Sequence, residues 1–114
     1  MIRTAAPAWR VLDSPPAAVD RVDGILAYVV GVDLAPGPAA GLRLATLRVV
    51  VLTGQTDVAR ADDHLDLELE KLLEVLDGHA GVQSWKATRD VFGTDPGWHG
   101  YGVEFDLLTN KIGA

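Results

Sequence analysis

The residues most suited to catalysis or metal binding are three histidines and a run of carboxylates. His64 lies within Asp62-Asp63-His64-Leu65-Asp66, a run that could ligate a metal ion if its side chains turned toward one point. The other histidines, His79 and His99, lie too far along the chain to form a zinc-binding pair with His64 on one helix. We therefore expect a solvated helix face here and no metal ion.

Nucleophilic chemistry has little support in the sequence. Serine occurs only at Ser14 and Ser84, and neither lies in the Gly-x-Ser-x-Gly turn of a serine hydrolase. No phosphate-binding Gly-rich loop with a terminal Lys occurs. The chain has no cysteine, which excludes disulfides, thiolate metal sites and a thiol nucleophile. The sequence predicts no catalytic residue and no cofactor.

One helix is predicted over residues 57–77. Thr56 or Asp57 can supply the capping oxygen at its start, and Gly78 stands where a left-handed residue often ends a helix. His79 is expected to help cap the last turn. Apolar residues recur along one stripe at the helical period, and carboxylates occupy much of the other side. The stripe consists of Val58, Ala61, Leu65, Leu69, Leu72, Leu73 and Leu76.

Short apolar or alternating segments predict five strands around this helix. Pro- and Gly-rich connectors are expected at residues 34–41 and 93–97. The strands are expected at residues 9–13, 24–33, 42–53, 82–92 and 99–107. The predicted fold class is α+β: an about five-stranded, mainly antiparallel sheet with one long helix packed across one face, in the order β-β-β-α-β-β. The 114 residues are expected to form a single domain.

The charge and the hydrophobicity of the chain disfavour nucleic acids and membranes as binding partners. The formal net charge is −6, and an acidic protein repels the phosphates of nucleic acid. No apolar stretch approaches the roughly 18 residues needed to cross a bilayer. The first eight residues carry no apolar core of a secretory signal, so neither export nor membrane association is expected.

Several segments together resemble a known family. They are Tyr28-Val29-Val30, the run from Leu47 to Thr56, the acidic helix, and Trp85-Lys86-Ala87-Thr88-Arg89. Over residues 9–108 this combination resembles the small tail terminator proteins of long-tailed (siphovirus-type) actinobacteriophages. Many relatives have a longer leading helix, for which Ala6-Pro7-Ala8 leaves little room.

The resemblance implies a structural virion protein and not an enzyme. Such proteins form a hexameric ring that caps the tail tube, stops its polymerisation and joins the tail to the head. The implied partners are further copies of the chain, the tail tube protein and a head–tail connector or head-closure protein. DNA would pass through the lumen without specific binding. The implied location is the virion tail or neck, after assembly in the bacterial cytoplasm.

The two connectors and two tryptophans are the expected contact points in such an assembly. Loops on a rigid scaffold commonly carry contacts, and exposed aromatic side chains anchor interfaces. The candidate interface residues are Pro36, Gly37, Pro38, Asp95, Pro96, Trp85 and Trp98.

Three other functions stay open at this point. The first is another phage neck, head-closure or tail-completion subunit. The second is a small α+β enzyme or ligand-binding domain, with a pocket between helix and sheet near Tyr28, His64 and Tyr101. The third is a dimeric regulatory module that uses an exposed sheet edge.

Overall fold

The computed structural model describes residues 9–12, 16, 19, 22–39, 41–93 and 97–110. These residues form one sheet and one helix, in the chain order that the sequence predicts. The elements are β1 (Arg10–Leu12), β2 (Ile25–Pro36), β3 (Leu42–Thr53), α1 (Val58–Gly78), β4 (Val82–Phe92) and β5 (Trp98–Asn110). The strands lie side by side in the order β1-β2-β3-β5-β4. The predicted α+β fold is confirmed.

The sheet is mixed, because its first strand runs parallel to its neighbour. The short β1 pairs with β2 from Arg10 opposite Leu26 to Leu12 opposite Tyr28. The other three pairs, β2 with β3, β3 with β5 and β5 with β4, are antiparallel. The mainly antiparallel character is therefore as predicted.

The first predicted connector is shorter than expected. Residues 34–36 are strand and not loop, since Leu34 pairs with Ala45 and Pro36 with Arg43. Proline is tolerated at Pro36 because the ladder ends there and needs no further N–H donor. The turn that follows is closed by a hydrogen bond from Gly37 N–H to the Leu42 carbonyl at 3.1 Å.

Helix α1 begins as predicted and ends differently. The Asp57 carboxylate accepts a hydrogen bond from the Arg60 N–H at 3.1 Å, which is the predicted N-cap. The prediction of a left-handed Gly78 is wrong, because Gly78 is still helical and His79 is the C-cap with φ −87°. The chain leaves the helix in extended conformation toward β4, so no left-handed residue is required. The capping role of His79 is confirmed, since its backbone N–H donates to the Leu76 carbonyl of the last turn at 3.4 Å.

The apolar stripe of α1 packs on the middle of the sheet. Its contacts are mainly with β3, β5 and β4. Leu73 packs at the margin of the core. Val58, the first residue of the helix, is 59% exposed, so its place in the stripe is wrong. The buried members are Ala61, Leu65, Leu69, Leu72 and Leu76.

The opposite face of the sheet has a second, smaller apolar cluster. It lies at the end of the sheet near β1 and the β4–β5 turn, so both faces are covered there. Its buried members are Val22, Leu26, Val50 and Leu52. Leu12, Val19, Tyr28, Phe92 and Trp98 pack against it. We call the whole face of the sheet that lies away from α1 the open face; the second cluster covers one end of it.

We expect Leu65→Asp to abolish the cooperative thermal unfolding of the domain. Leu65 lies on the side of α1 that faces the sheet and is completely buried. An unpaired buried carboxylate there costs several kcal/mol, against a total stability of about 5–15 kcal/mol. The matched control is Leu67→Asp on the same helix, where the side chain is 69% exposed. Circular dichroism melts should show a near-unchanged transition for Leu67→Asp. Equal melting temperatures for both variants would show that the buried face of the helix is wrongly assigned.

Candidate assembly surface

The second half of β2 is mostly exposed to solvent. We call residues 30–36 of this strand the β2 arm. The pairing of β1 stops at Tyr28, and no other described strand lies along the outer edge of the arm. Val30, Val32 and Leu34 are 46%, 52% and 53% exposed. An apolar strand edge with free backbone N–H and C=O groups is a surface that commonly pairs with another chain.

A bulge and one ion pair set the shape of the arm. The register shifts between Val29 and Gly31, which leaves Val30 as the extra residue. Gly31 lies against the guanidinium of Arg48, where a Cβ would stand 2.9 Å from Nη2. The same guanidinium donates to the Asp33 carboxylate at 2.7 Å. This hydrogen bond and the negative charge of Asp33 raise the pKa of Arg48.

The opposite edge of the sheet is formed by β4. Among the described strands, β4 pairs only with β5, and most of its side chains are exposed. Trp85 is 37% exposed, and its indole N–H donates to the Asp77 carboxylate at 2.7 Å. Arg89 donates to Asp62 at 3.0 Å. Two carboxylates of α1 thus attach to β4, and no described strand lies along its outer edge.

The candidate interface residues that the structure describes fall into three groups. Pro36, Gly37 and Pro38 lie at the tip of the arm, where both prolines are exposed. Trp85 lies on the β4 edge. Trp98 packs inside the chain, against the second apolar cluster, with its indole N–H bonded to the Val19 carbonyl at 3.1 Å. The other two candidates, Asp95 and Pro96, lie outside the described residues.

His64 is held by a buried hydroxyl that sequence reasoning missed. Its ring Nδ1 lies 2.7 Å from Thr53 Oγ1, and that hydroxyl also accepts from the Gln55 N–H at 3.1 Å. Thr53 is fully buried, so the hydroxyl is closed to solvent. The solvated-face interpretation holds for Asp62, Asp63 and Asp66 but not for the half-buried His64. Threonine at the end of an apolar strand is common, so the sequence carries no signal for this contact.

The pocket suggested by Tyr28, His64 and Tyr101 does not form. Tyr28 packs on the open face, whereas Tyr101 packs against the core beneath α1. Tyr28 instead joins an apolar cluster, and burial raises the pKa of its hydroxyl. The three side chains therefore cannot line one site.

A second polar contact joins Trp9, just before β1, to α1. The Trp9 indole N–H donates to the Glu68 carboxylate at 3.0 Å, and Lys71 donates to the same oxygen at 2.8 Å. The bonds from Lys71 and Trp9 lower the pKa of Glu68. This contact is part of the fold, since Trp9 is buried in the core.

The open face has a shallow groove of about 300 Å³ beside the arm. Gly102 of β5 forms part of its floor, and the missing side chain there leaves the space open. Val30, Arg48, Lys86 and Thr88 are among the residues that line it. The groove is continuous with the arm at Val30, so a partner on the arm edge would reach it.

No model of a known protein family matches the chain, and no curated protein matches it in sequence. Within the described ranges, no helix is both long and apolar enough to cross a membrane. The same ranges contain no group of three or more potential metal ligands placed to hold an ion.

We expect Thr53→Val to lower the free energy of unfolding by about 1–3 kcal/mol. The substitution keeps the shape of the side chain and removes the hydroxyl that binds both the His64 ring and the Gln55 N–H. Thr88→Val on the exposed face of β4 is the matched control, and its effect should stay within about 0.5 kcal/mol. Urea titrations of the two variants measure the difference. Equal effects would contradict a structural role for the Thr53 hydroxyl.

Proposed function

We propose that this chain is a structural subunit that forms a closed ring and acts as the tail terminator of a long-tailed actinobacteriophage. The ring would cap the tail tube, stop its polymerisation and join the tail to the head. One observation carries the assembly part of the proposal: the two free edges, the β2 arm and β4, lie on opposite sides of one sheet. The phage assignment is supported by the resemblance of the β2, β3 and β4 segments to tail terminators.

Two different free edges on one chain favour a head-to-tail contact between copies. A surface that pairs with itself gives a two-fold dimer and then stops. When copies join through two unlike surfaces, the growing chain always has one free surface at each end. Growth therefore continues until the two ends meet and close a ring. Natural sheets usually block such edges with charges, bulges or covering elements. Among the described residues, the β2 arm has Asp33, Pro36 and the bulge at Val30 as such protection.

The charge distribution supports a channel through which DNA passes. Arg60 and Lys71 are the exposed cations of α1. Its exposed carboxylates are Asp62, Asp63, Asp66, Glu70, Glu74 and Asp77. The outer side of α1 is therefore acidic, in a chain of net charge −6. An acidic lumen repels phosphates and allows DNA to move without being bound.

The partners in this proposal are the tail tube protein on one side of the ring and a head–tail connector or head-closure protein on the other. The exposed turn at Pro36, Gly37 and Pro38 projects from the arm and is the candidate contact with one of them. A head-closure or tail-completion subunit could use the same sheet edges. Tail length separates these functions, because only a terminator limits the growth of the tube.

We expect a virus in which this gene is interrupted by stop codons to produce overlong tails that lack heads. Wild-type protein supplied from a plasmid should restore virions with tails of uniform length. Thr56→Ser should restore them equally well, since this exposed side chain lies outside the arm, β4 and the acidic side of α1. Electron microscopy of the lysates gives the length distribution. Tails of normal, uniform length without heads would indicate a head-closure subunit, and normal virions would contradict any role in tail assembly.

A further inference from the structure

We propose that neighbouring copies of the chain join by pairing β4 of one copy with the β2 arm of the next, so that the sheet continues across the subunit boundary. This inference rests on the proposed function only in taking a second copy as the partner. The pairing is drawn from the side chains, strand directions and charges of the two edges.

Two apolar rows run from one edge of the sheet to the other on the α1 side. Cross-strand pairing places Val32, Leu47, Phe105 and Trp85 in one row. The next row consists of Leu34, Ala45, Leu107 and Val82. The middle of each row is covered, whereas Val32, Leu34 and Trp85 at the ends are exposed. Apolar residues at both ends of one row would pack together if a second sheet continued the first.

Strand direction allows this continuation without turning the neighbour over. From β2 through β3 and β5 to β4 each step is antiparallel, so β2 and β4 run in opposite directions. A copy added in the same orientation therefore presents its β2 antiparallel to the β4 it meets. Its helix stays on the same side of the sheet. Both apolar rows then extend into the neighbour.

The extent of β1 limits which part of each edge can pair. On the neighbouring copy, β1 occupies the edge of β2 from Leu26 to Tyr28, and no other described strand lies along the arm. In the rows defined above, the arm lies level with the first half of β4, from Val82 to Lys86. Asp33 of the neighbour would then lie diagonal to Lys86, which places opposite charges near each other.

Charge also disfavours pairing of each edge with its own copy. Two β4 strands paired antiparallel about Ala87 would place the Lys86 side chains of the two copies diagonal to each other on the open face. Two arms paired in the same way would bring the Asp33 carboxylates together. The mixed pairing avoids both repulsions and matches apolar with apolar side chains. A second copy of this chain, joined by unlike edges, is therefore the occupant that the two surfaces fit.

Cysteine cross-linking tests the pairing directly, because the chain has no cysteine of its own. The full chain carrying Val32→Cys and Trp85→Cys places one thiol on each edge of the same row. Within one chain the two positions are three strand spacings apart, about 14 Å, which is too far for a disulfide. Mild oxidation should therefore give a ladder of cross-linked multimers on a non-reducing gel, ending at one largest species. Leu34→Cys with Val82→Cys samples the next row and guards against a variant that fails to fold.

The matched control is Val32→Cys with Val91→Cys. Val91 is also exposed on β4, but it lies about 20 Å further along the strand than Trp85. This pair should give no ladder, and neither should any single-cysteine variant. Dimers from Trp85→Cys alone would overturn the proposal in favour of two β4 edges pairing with each other.

Imaging of the same samples separates failure of this pairing from failure of the proposed ring. Rings in negative stain without a ladder from either cysteine pair would overturn the edge pairing and leave the ring intact. A ladder without an upper limit, with filaments in the images, would support the edge pairing and contradict the closed ring. Monomers with no ladder would overturn both.

Discussion

The packing of one leucine-rich helix on the middle of a five-stranded sheet is the contact on which the rest of the structure depends. A helix is about 10 Å wide and strands lie about 4.8 Å apart, so one helix covers roughly two strands. Here α1 lies mainly over β3 and β5, with contacts to β4. The sheet is wider than its cover. The outer strands therefore keep exposed side chains as a direct result of this geometry.

The exposed surface is unevenly distributed over the two outer strands. Near β1 a second apolar cluster covers the open face, and Trp98 and Tyr28 pack into it. Among the described residues, that cluster reaches no further along β2 than Tyr28, and Val32 and Leu34 are half exposed. The buried side chains thus lie mainly in one part of the sheet, and the β2 arm is largely exposed. Changes in the arm should leave the folded core intact.

Much of the fold follows from local patterns in the sequence. The helical period of the leucines and the alternation in β4 and β5 predict the elements and their order, and both agree with the structure. The boundaries are less accurate. Pro36 and its neighbours were predicted as loop because proline and glycine cluster there, but strand pairing with β3 extends the ladder through them. Gly78 stays helical because the chain continues in extended conformation.

The candidate assembly surface is harder to derive from the sequence, because it depends on the lateral order of the strands. Local patterns predict a β4–β5 hairpin but do not show that β5 lies inside and β4 at the edge. Nor do they show that β1 stops at Tyr28 and leaves the arm open. Trp85 could be chosen from its residue type alone. The edge-to-edge apolar row that contains it, and the buried contact between Thr53 and His64, arise only from the folded arrangement.

Hydrogen exchange of β4 is the most direct test of the claim that copies join through unlike edges. The wild-type chain is compared with a Val32→Lys, Leu34→Lys variant, whose substitutions lie on the opposite edge of the same sheet. If β4 pairs with the arm of a neighbour, the outward amides of residues 82–86 exchange slowly in the wild type and rapidly in the variant. Peptides from α1 should exchange alike in both, which shows that the fold is intact. Equal exchange of β4 in the two proteins would contradict the account.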